Sequence, residues 1–313
     1  MTFPTGEQYE LHTRTASGEL RATITGLAAA IRHLSLDGVD LVPSYGEESS
    51  PPSGAGIVLV PWPNRIRDGK WEHAGVEHQL DLTEPDLSNA IHGLLRNTEY
   101  REAAREQDSV TLTANIYPQH GYPYLLETAV HYELVSDGLK VTHFLRNLGH
   151  ESAPVAVGTH PFLKIGDVPT ESLTLRLSAA SHIEVDDRLL PTAEVPVEGT
   201  EWDLRDGRPV SELDLDDAWG EAFEIDGEVV HSLTAADGRS VSMWAEPEFG
   251  FVQVYTTRSF PGEGGDAAIA IEPMTAPADA FNSGKGLRWL APGDEWELSW
   301  GIRFEGFQAT SAD

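Results

Sequence analysis

The stretch Ser109-Val110-Thr111-Leu112-Thr113-Ala114-Asn115-Ile116-Tyr117 alternates apolar and polar side chains along its whole length. Successive side chains of an extended strand point to opposite faces of a sheet, so this pattern predicts a strand with one buried face and one exposed face. The alternation recurs at residues 128–135, 139–145, 172–177 and 251–255. Turn-forming sequences between several such segments predict β-hairpins: Ser136-Asp137-Gly138, Asp226-Gly227 and Asp237-Gly238.

Many short strands without long amphipathic helices are typical of a β-sandwich or a β-barrel. The one helix-like stretch, residues 27–31, is too short to form a helix by itself. Residues 47–53 are rich in Ser, Pro and Glu and form a loop-like insertion. We therefore predict an all-β, antiparallel chain that forms a single domain over residues 1–313, with residues 309–313 frayed.

Composition limits the function classes open to this chain of 313 residues, 40% of them hydrophobic and none of them cysteine. The missing thiols exclude a cysteine nucleophile, an iron–sulfur cluster and cysteine-ligated zinc. The 21 Lys and Arg against 51 Asp and Glu give a formal charge of −30. This acid excess argues against nucleic acid and anionic membranes as partners, because phosphate binding needs clustered Lys and Arg. It favours a substrate that is neutral, or at least not strongly anionic.

The start of the chain, residues 1–15, lacks the basic and apolar regions of a secretory signal. No apolar run approaches the roughly 18 residues that a membrane helix requires. We therefore expect a cytoplasmic protein. The oligomeric state stays open, with a homodimer as one alternative.

Four places combine ionisable side chains with turn-forming residues and are candidates for chemistry. They are residues 60–69 with Asn64 and Arg65, 90–94 with His92, 157–162 with His160, and 271–282 with Glu272. Each has a structural alternative, the arginine as a surface cation and the histidines as satisfied structural groups. Glu272 follows an apolar run, so we expect it at the end of a buried strand. A lone carboxylate there is costly unless it is paired or used.

Motifs for other chemistries are absent from the sequence. It contains neither His-x-His nor His-Glu-x-x-His, no Gly-x-Ser-x-Gly elbow, and no phosphate loop of the Walker or Rossmann kind. What the four places share is one carboxylate, two imidazoles and one guanidinium, a set suited to proton transfer. Aromatic residues that lie nearby in sequence would pack on sugar C–H groups: Trp62, Phe162, Trp219 and Phe281. The residues alone predict an acid–base site for a neutral, polyhydroxylated ligand.

In their order along the chain, these motifs resemble the aldose 1-epimerases, or mutarotases, of the galactose mutarotase type. Each motif is weak alone, but together and in this order they form a specific signal over nearly the whole chain. The similar segments are residues 26–31, 37–42, Pro63-Asn64-Arg65-Ile66, His92-Gly93, Gly121-Tyr122-Pro123, Thr159-His160-Pro161-Phe162, Leu215-Asp216-Asp217-Ala218-Trp219, Glu272-Pro273-Met274-Thr275 and Asp279-Ala280-Phe281-Asn282.

The resemblance implies a large antiparallel β-sandwich, the galactose mutarotase-like supersandwich, with an open cleft on one face. It implies an isomerase that interconverts the α and β anomers of a free hexose, with no cofactor and no metal. By resemblance, Glu272 is the general base and His160 is the general acid. The residues that would hold the sugar are Asn64, Arg65, His92 and Asp216.

Two segments depart from the usual pattern of the family. Phe162-Leu163-Lys164 stands where Tyr-Phe-Asn is common, and Pro61-Trp62-Pro63 precedes Asn64 where a different lead-in is usual. These departures concern the identity of the sugar, not the reaction. Two alternatives stay open. One is a non-catalytic carbohydrate-binding β-sandwich, and the other is an epimerase of a phosphorylated hexose, which would need a cationic pair such as Arg65 and Arg67.

Overall fold

The structure, a computed structural model, describes residues 3–307, and the expected fraying at 309–313 lies outside them. Almost every regular element is a strand, which confirms the all-β prediction. In chain order the strands are β1 (Gln8–Thr15), β2 (Gly18–Thr25), β3 (Ile31–Leu36), β4 (Val39–Asp40), β5 (Val58–Leu59), β6 (Arg65–Arg67), β7 (Lys70–His73), β8 (Val76–Gln79), β9 (Asn89–Ile91), β10 (Arg101–Arg105), β11 (Ser109–Ile116), β12 (Leu126–Val135), β13 (Gly138–Asn147), β14 (Ala153–Val155), β15 (Gly158–Thr159), β16 (Phe162–Leu163), β17 (Thr174–Arg176), β18 (Ala179–Val185), β19 (Pro191–Pro196), β20 (Arg208–Pro209), β21 (Asp216–Ala222), β22 (Val229–Thr234), β23 (Ser240–Ala245), β24 (Phe251–Thr257), β25 (Ala268–Met274), β26 (Arg288–Leu290) and β27 (Glu295–Glu305).

The helical elements are short. One α-helical turn, α1, covers Ala280–Ser283, and single 3-10 turns cover Pro52–Gly54, Pro85–Leu87, Thr170–Ser172 and Val210–Glu212. The helix-like stretch at residues 27–31 is not helical, because Ala28 and Ala29 adopt left-handed backbone with φ of 54° and 49°. It forms the bend that leads into β3.

Two large antiparallel sheets dominate the fold. The first has nine strands in the order β10-β11-β12-β13-β27-β23-β22-β17-β20. The hairpin predicted at Ser136-Asp137-Gly138 joins β12 to β13, and the one at Asp237-Gly238 joins β22 to β23. The Asp226-Gly227 turn closes only the single bridge between Ile225 and Glu228, because β21 and β22 belong to different sheets.

The second large sheet has eight strands in the order β19-β18-β21-β24-β25-β15-β5, with β16 also paired to β25. A separate four-stranded sheet, β1-β2-β3-β4, covers the beginning of the chain, and three two-stranded sheets pair β6 with β9, β7 with β8 and β14 with β26.

The two large sheets pack face to face through one continuous hydrophobic core, as a β-sandwich does. Alternation along each strand decides which side chains enter it: Val130 and Tyr132 on β12 and Trp300 and Ile302 on β27 face Val252 and Val254 on β24 and Ile269 and Ile271 on β25. The intervening side chains of β24 and β25 point away from this core. They form the floor of a cleft.

Candidate active site

One face of the eight-stranded sheet carries polar side chains on three neighbouring strands. Gln253 on β24 lies directly opposite Glu272 on β25, and Tyr255 on β24 lies opposite Asp216 on β21. Gln253 and Tyr255 are two residues apart and share a face, so their cross-strand partners share it as well. The register of three strands therefore gathers these four side chains, although they are far apart in the sequence.

A second group of polar side chains comes from the turns before β6 and after β9. Asn64 and His92 both have left-handed backbone, with φ of 55° and 64°, and the His92 N–H donates to the Asn64 carbonyl over 2.9 Å. Gly93 has φ of 71°, and a Cβ there would lie 2.0 Å from the Val60 carbonyl oxygen. Because only glycine tolerates that approach, Gly93 fixes the turn that presents His92.

The segment at residues 279–282 forms hydrogen bonds with the backbone of Arg65 and Arg67. The N–H of Asp279 donates to the Arg65 carbonyl over 2.6 Å, and Asp279 Oδ1 accepts from the Arg67 N–H over 3.0 Å. The Asn282 side-chain amide donates to the same Oδ1 over 2.7 Å. Asp279 and Asn282 therefore position the backbone of β6, and they are not among the residues that line the cleft.

His160 lies at the break between β15 and β16. Its N–H donates to the Ile57 carbonyl over 3.1 Å, and its carbonyl accepts from the Gly56 N–H over 2.8 Å. Its ring stacks on Phe162 with 5.4 Å between ring centroids. Held in this way, the imidazole places Nε2 3.3 Å from Oε1 of Glu272. The two side chains assigned to proton transfer are thus in direct contact.

A hydrogen-bond network fixes the remaining polar groups. The Arg65 guanidinium makes a bidentate pair with Glu84, with Nε to Oε2 and one terminal nitrogen to Oε1 at 3.0 Å each, and reaches Asp216 Oδ2 over 3.4 Å. The Gln253 amide bridges two neighbours, because its Oε1 accepts from Asn64 over 3.0 Å and its Nε2 donates to Asp216 over 2.7 Å. Bidentate, charge-assisted bonds of this kind hold a guanidinium in one orientation.

Burial favours the uncharged forms of both His160 and Glu272. It lowers the pKa of the His160 imidazole to about 4. It raises the pKa of the Glu272 carboxyl well above its usual range, and the nearby Asp216 carboxylate raises that pKa further while Arg65 opposes the rise. Both shifts favour the form in which Glu272 is protonated and His160 is neutral.

Two further titratable side chains of the cleft, His92 and Asp216, respond to the same environment. Burial lowers the pKa of His92 well below its usual range, and the neighbouring His160, Arg65 and Arg96 lower it further. Burial raises the pKa of Asp216, against the attraction of the Arg65 guanidinium. His92 is therefore a neutral imidazole, which can donate one hydrogen bond and accept another.

These side chains surround a cleft of about 240 Å³. All six residues predicted for the site line it, namely Asn64, Arg65, His92, His160, Asp216 and Glu272. The aromatic residues expected beside the ligand do not line it. Trp62 and Phe281 instead pack edge-to-face, 5.3 Å apart, and the aromatic side chain that does line the cleft is Tyr255.

Sequence reasoning missed Gln253, Tyr255 and Glu84. The signal for the first two was present, since they alternate with Val252 and Val254 in a predicted strand, but a polar alternating face is ordinarily exposed to solvent. Glu84 lies in an irregular segment, and no periodic pattern marks it. The sequence therefore contains no indication that Glu84 is the residue that orients Arg65.

Residues 3–307 contain no group of three or more His, Asp or Glu side chains placed to hold a metal ion. In the same part of the chain, no helix is long and apolar enough to cross a membrane.

Comparison with known proteins identifies the family of this chain. Residues 10–303 match the family described as aldose 1-epimerase. The Escherichia coli (strain K12) protein YihR is 32% identical over 289 residues, which cover 92% of this chain and 91% of YihR.

Solved structures share the fold at lower sequence identity. The GalM/aldose epimerase homologue from C. elegans superposes with a TM-score of 0.82 at 20% identity, covering 96% of this chain and 99% of that one. A putative aldose 1-epimerase from Escherichia coli K12 gives a TM-score of 0.80 at 18% identity, with the same coverage of 96% and 99%. The fold is that of the galactose mutarotase-like proteins, and with the match over residues 10–303 the chain belongs to the aldose 1-epimerase family.

Proposed function

We propose that the protein is a mutarotase that interconverts the α and β anomers of a free hexose. The observation that carries this proposal is the contact of 3.3 Å between His160 Nε2 and Glu272 Oε1 in a cleft with a polar wall. The two oxygens that exchange protons during mutarotation, the C1 hydroxyl and the ring oxygen, are bonded to the same carbon. An acid and a base in direct contact are therefore spaced to serve both.

The reaction needs one proton removed and one supplied. In the proposed step Glu272 takes the proton of the C1 hydroxyl while His160 gives a proton to the ring oxygen, and the bond from C1 to that oxygen breaks. The open-chain aldehyde rotates about C1–C2, and both transfers reverse as the ring closes on the other face. Each proton transfer by a positioned group is typically worth about 10²–10⁴-fold in rate.

The protonation state of the free site fits this cycle. Ring opening starts from ionised Glu272 and protonated His160, and a proton shift across the 3.3 Å contact produces that form without changing the total charge. Ring opening returns the proton to Glu272, which is where burial places it in the free protein. The pair thus holds the right number of protons for opening and closing alike.

The second group of side chains is proposed to hold the sugar. Arg65 and Asp216 carry opposite charges 3.4 Å apart and present donors and acceptors to the cleft. Neutral His92 and the amide of Asn64 add further hydrogen-bonding groups. Fixing the hexose between them orients C1 toward the proton-transfer pair, which is where positioning gains rate.

The two alternatives draw less support from the site. A non-catalytic sugar-binding protein would not need the buried pair Glu272 and His160, whose burial is costly. A phosphate held by Arg65 and Arg67 would have to displace carboxylates, because Arg65 is bound to Glu84 and Arg67 pairs with Asp186 at 3.2 Å. We further propose that one domain carries the whole site, since its residues come from many parts of the chain.

The test is polarimetry with freshly dissolved α-D-glucose and α-D-galactose. We expect the purified chain to accelerate mutarotation without added metal or nucleotide, and expect the His160→Gln variant, checked for folding by circular dichroism, to lose most of that rate. Activity abolished by EDTA and restored by zinc would overturn the mechanism. Unaccelerated mutarotation of every aldose tried would overturn the function.

A further inference from the structure

The orientation of the His160 ring is not fixed by a hydrogen bond to its second ring nitrogen. Nε2 faces Glu272, whereas Nδ1 is buried and has no hydrogen-bond partner among residues 3–307. In a histidine that transfers protons, a carbonyl or carboxylate usually accepts from the other ring nitrogen and so sets the orientation of the ring. At His160, packing against neighbouring side chains has to do this instead.

Aromatic rings provide that packing. Phe162 is buried and stacks on His160, with 5.4 Å between ring centroids and 24° between ring planes. Phe260 packs on Phe162 in turn, with 5.0 Å between centroids. The same apolar surroundings keep the imidazole uncharged, since burial lowers the pKa of His160 to about 4. Both phenylalanines belong to a small hydrophobic cluster with Tyr45, Ala55, Ala268 and Ala270.

Phe260 lies in the long connection between β24 and β25, residues 258–267, which we call the strap. Thr257 and Ala268 are directly paired at the ends of these two strands. A hairpin loop of roughly two to five residues is usually enough to join such a pair. The strap is longer, and its extra length brings Phe260 into contact with Phe162.

An ion pair ties the strap to the segment that carries Phe162. Lys164 Nζ donates to both carboxylate oxygens of Glu263, over 2.7 and 2.8 Å. Only 17% of the lysine side chain and 12% of the glutamate side chain are exposed, so solvent screens this pair less than an exposed one. Phe162 and Lys164 are also two of the positions at which the chain departs from the family's usual Tyr-Phe-Asn.

We propose that the strap is a positioning element for the reaction, because its ion pair holds Phe260 on Phe162 and so fixes the His160 ring. Lys164 and Glu263 transfer no proton in this role and act only through the packing of His160. The effect on rate rests on the proposed mutarotase function, whereas the packing of His160 can be measured without catalysis.

Three titratable side chains face the His160 ring, and none of them belongs to the strap. Glu272 of β25 is 3.3 Å from Nε2. The ring of His92 and that of Tyr255 on β24 lie with centroids 5.6 and 6.4 Å from that of His160. Variants of the strap therefore change the packing of His160 and leave its titratable neighbours in place.

The first arm of the test measures the His160 ring itself. Its Cε1–H signal, identified by its absence in His160→Gln, is titrated by proton NMR in the unmodified protein and in folded Phe162→Leu, Phe260→Leu and Glu263→Gln. We expect the pKa of His160 to rise from about 4 toward its ordinary value of 6.5. The rise should be largest in Phe162→Leu and smallest in Glu263→Gln, because each step away from the ring disturbs its packing less.

The second arm measures kcat and KM by polarimetry at pH 7.5 and 5.5. At pH 7.5 we expect kcat of Phe260→Leu to fall about tenfold, because a displaced acid transfers its proton less well. KM should be nearly unchanged, since Arg65 and Asp216 lie outside the strap. At pH 5.5 the loss should be about two- to tenfold greater, because a more basic His160 is then protonated alongside Glu272 and no base remains. A strap that only stabilised the fold would not change this pH dependence.

Exchanging the charges provides the rescue. Lys164→Glu alone sets two carboxylates together and should have the lowest kcat of the ion-pair variants. Lys164→Glu combined with Glu263→Lys restores a pair and should recover most of kcat and the flat pH profile. The matched control is the same exchange at Lys70 and Glu77, an exposed pair at 3.1 Å, which should leave both unchanged.

Two results would overturn the proposal in distinguishable ways. An unchanged pKa of His160 and an unchanged pH profile in folded Phe260→Leu and Glu263→Gln would remove the role of the strap and leave the mutarotase function in place. Absence of catalysis on every aldose by the folded, unmodified protein would remove the mutarotase function and, with it, the effect of the strap on the reaction.

Discussion

The two halves of the cleft are built in different ways. Glu272, Asp216 and Gln253 stand on adjacent strands, where ordinary strand geometry and the ladder of the sheet place them. Asn64 and His92 stand on turns with left-handed backbone, a conformation that costs about 1–3 kcal/mol per residue. The proposed base is on the strand half, and two of the sugar-holding groups, Asn64 and His92, are on the turn half. The proposed base thus stands on regular β-structure, whereas the proposed acid, His160, stands at the break between β15 and β16.

The largest effect is expected on the strand side. Glu272→Gln keeps the volume but cannot accept the C1 hydroxyl proton, so we expect kcat to fall about 10²–10⁴-fold. We expect a similar fall in kcat for His160→Gln. The kcat of the double variant should be little lower than that of either single variant, because the two side chains act as one unit. Polarimetric rates for all four proteins measure this, and titration calorimetry should show that sugar binding survives. Near-normal turnover in Glu272→Gln would remove the carboxylate from the mechanism.

On the turn side, the backbone itself is the sensitive element. Gly93→Ala places a Cβ 2.0 Å from the Val60 carbonyl oxygen, and we expect the free energy of unfolding to fall by more than about 3 kcal/mol. Gly75→Ala is the matched control, since Gly75 has a similar φ of 79° with nothing within 4 Å, and it should lose about 1 kcal/mol. Denaturant unfolding compares the two. Equal losses would mean that the turn does not depend on close approach.

The pH dependence tests the proton shared by the pair. Below about pH 4 His160 takes up a second proton, Glu272 is already protonated, and no base remains. Above the raised pKa of Glu272 the pair loses its proton and no acid remains. We therefore expect kcat/KM to be flat between these limits and to fall about tenfold per pH unit outside them. An acidic limb centred near pH 6.5, as for an exposed imidazole, would contradict the assignment of His160.

A smaller effect on catalysis is expected from Glu84, the loop residue that orients Arg65. Glu84→Gln removes the charge that holds Arg65 in its bidentate pair, and we expect KM to rise about tenfold with kcat nearly unchanged, because a charge-assisted bond is worth only a few kcal/mol. Glu77→Gln breaks an exposed pair with Lys70 at 3.1 Å and should change neither constant. A fall in kcat without a change in KM would place Glu84 in the chemistry itself.

The same contrast explains what could be predicted from the sequence. Alternation identified β11, β12, β13 and β24. The apolar run before Glu272 indicated a buried strand, although Glu272 lies within β25 and not at its end. Asn64, His92 and Arg65 were found through motifs, but their geometry was not predictable. It depends on the close approach of Gly93 to the Val60 carbonyl and on the hydrogen bond from Asp279 to the Arg65 carbonyl. Both contacts join segments that are distant in sequence. Glu84 had no signal at all.

The position of β27 has a consequence for synthesis on the ribosome. This strand, Glu295–Glu305, lies between β13 and β23 in the middle of the nine-stranded sheet, yet it is made after every other strand of residues 3–307. Until it emerges, the sheet exists as two halves, each with an open edge that can pair with another chain. Closing the sheet joins residues far apart in the sequence, which is slow. The nascent protein therefore depends most on protection from aggregation before residues 295–305 emerge.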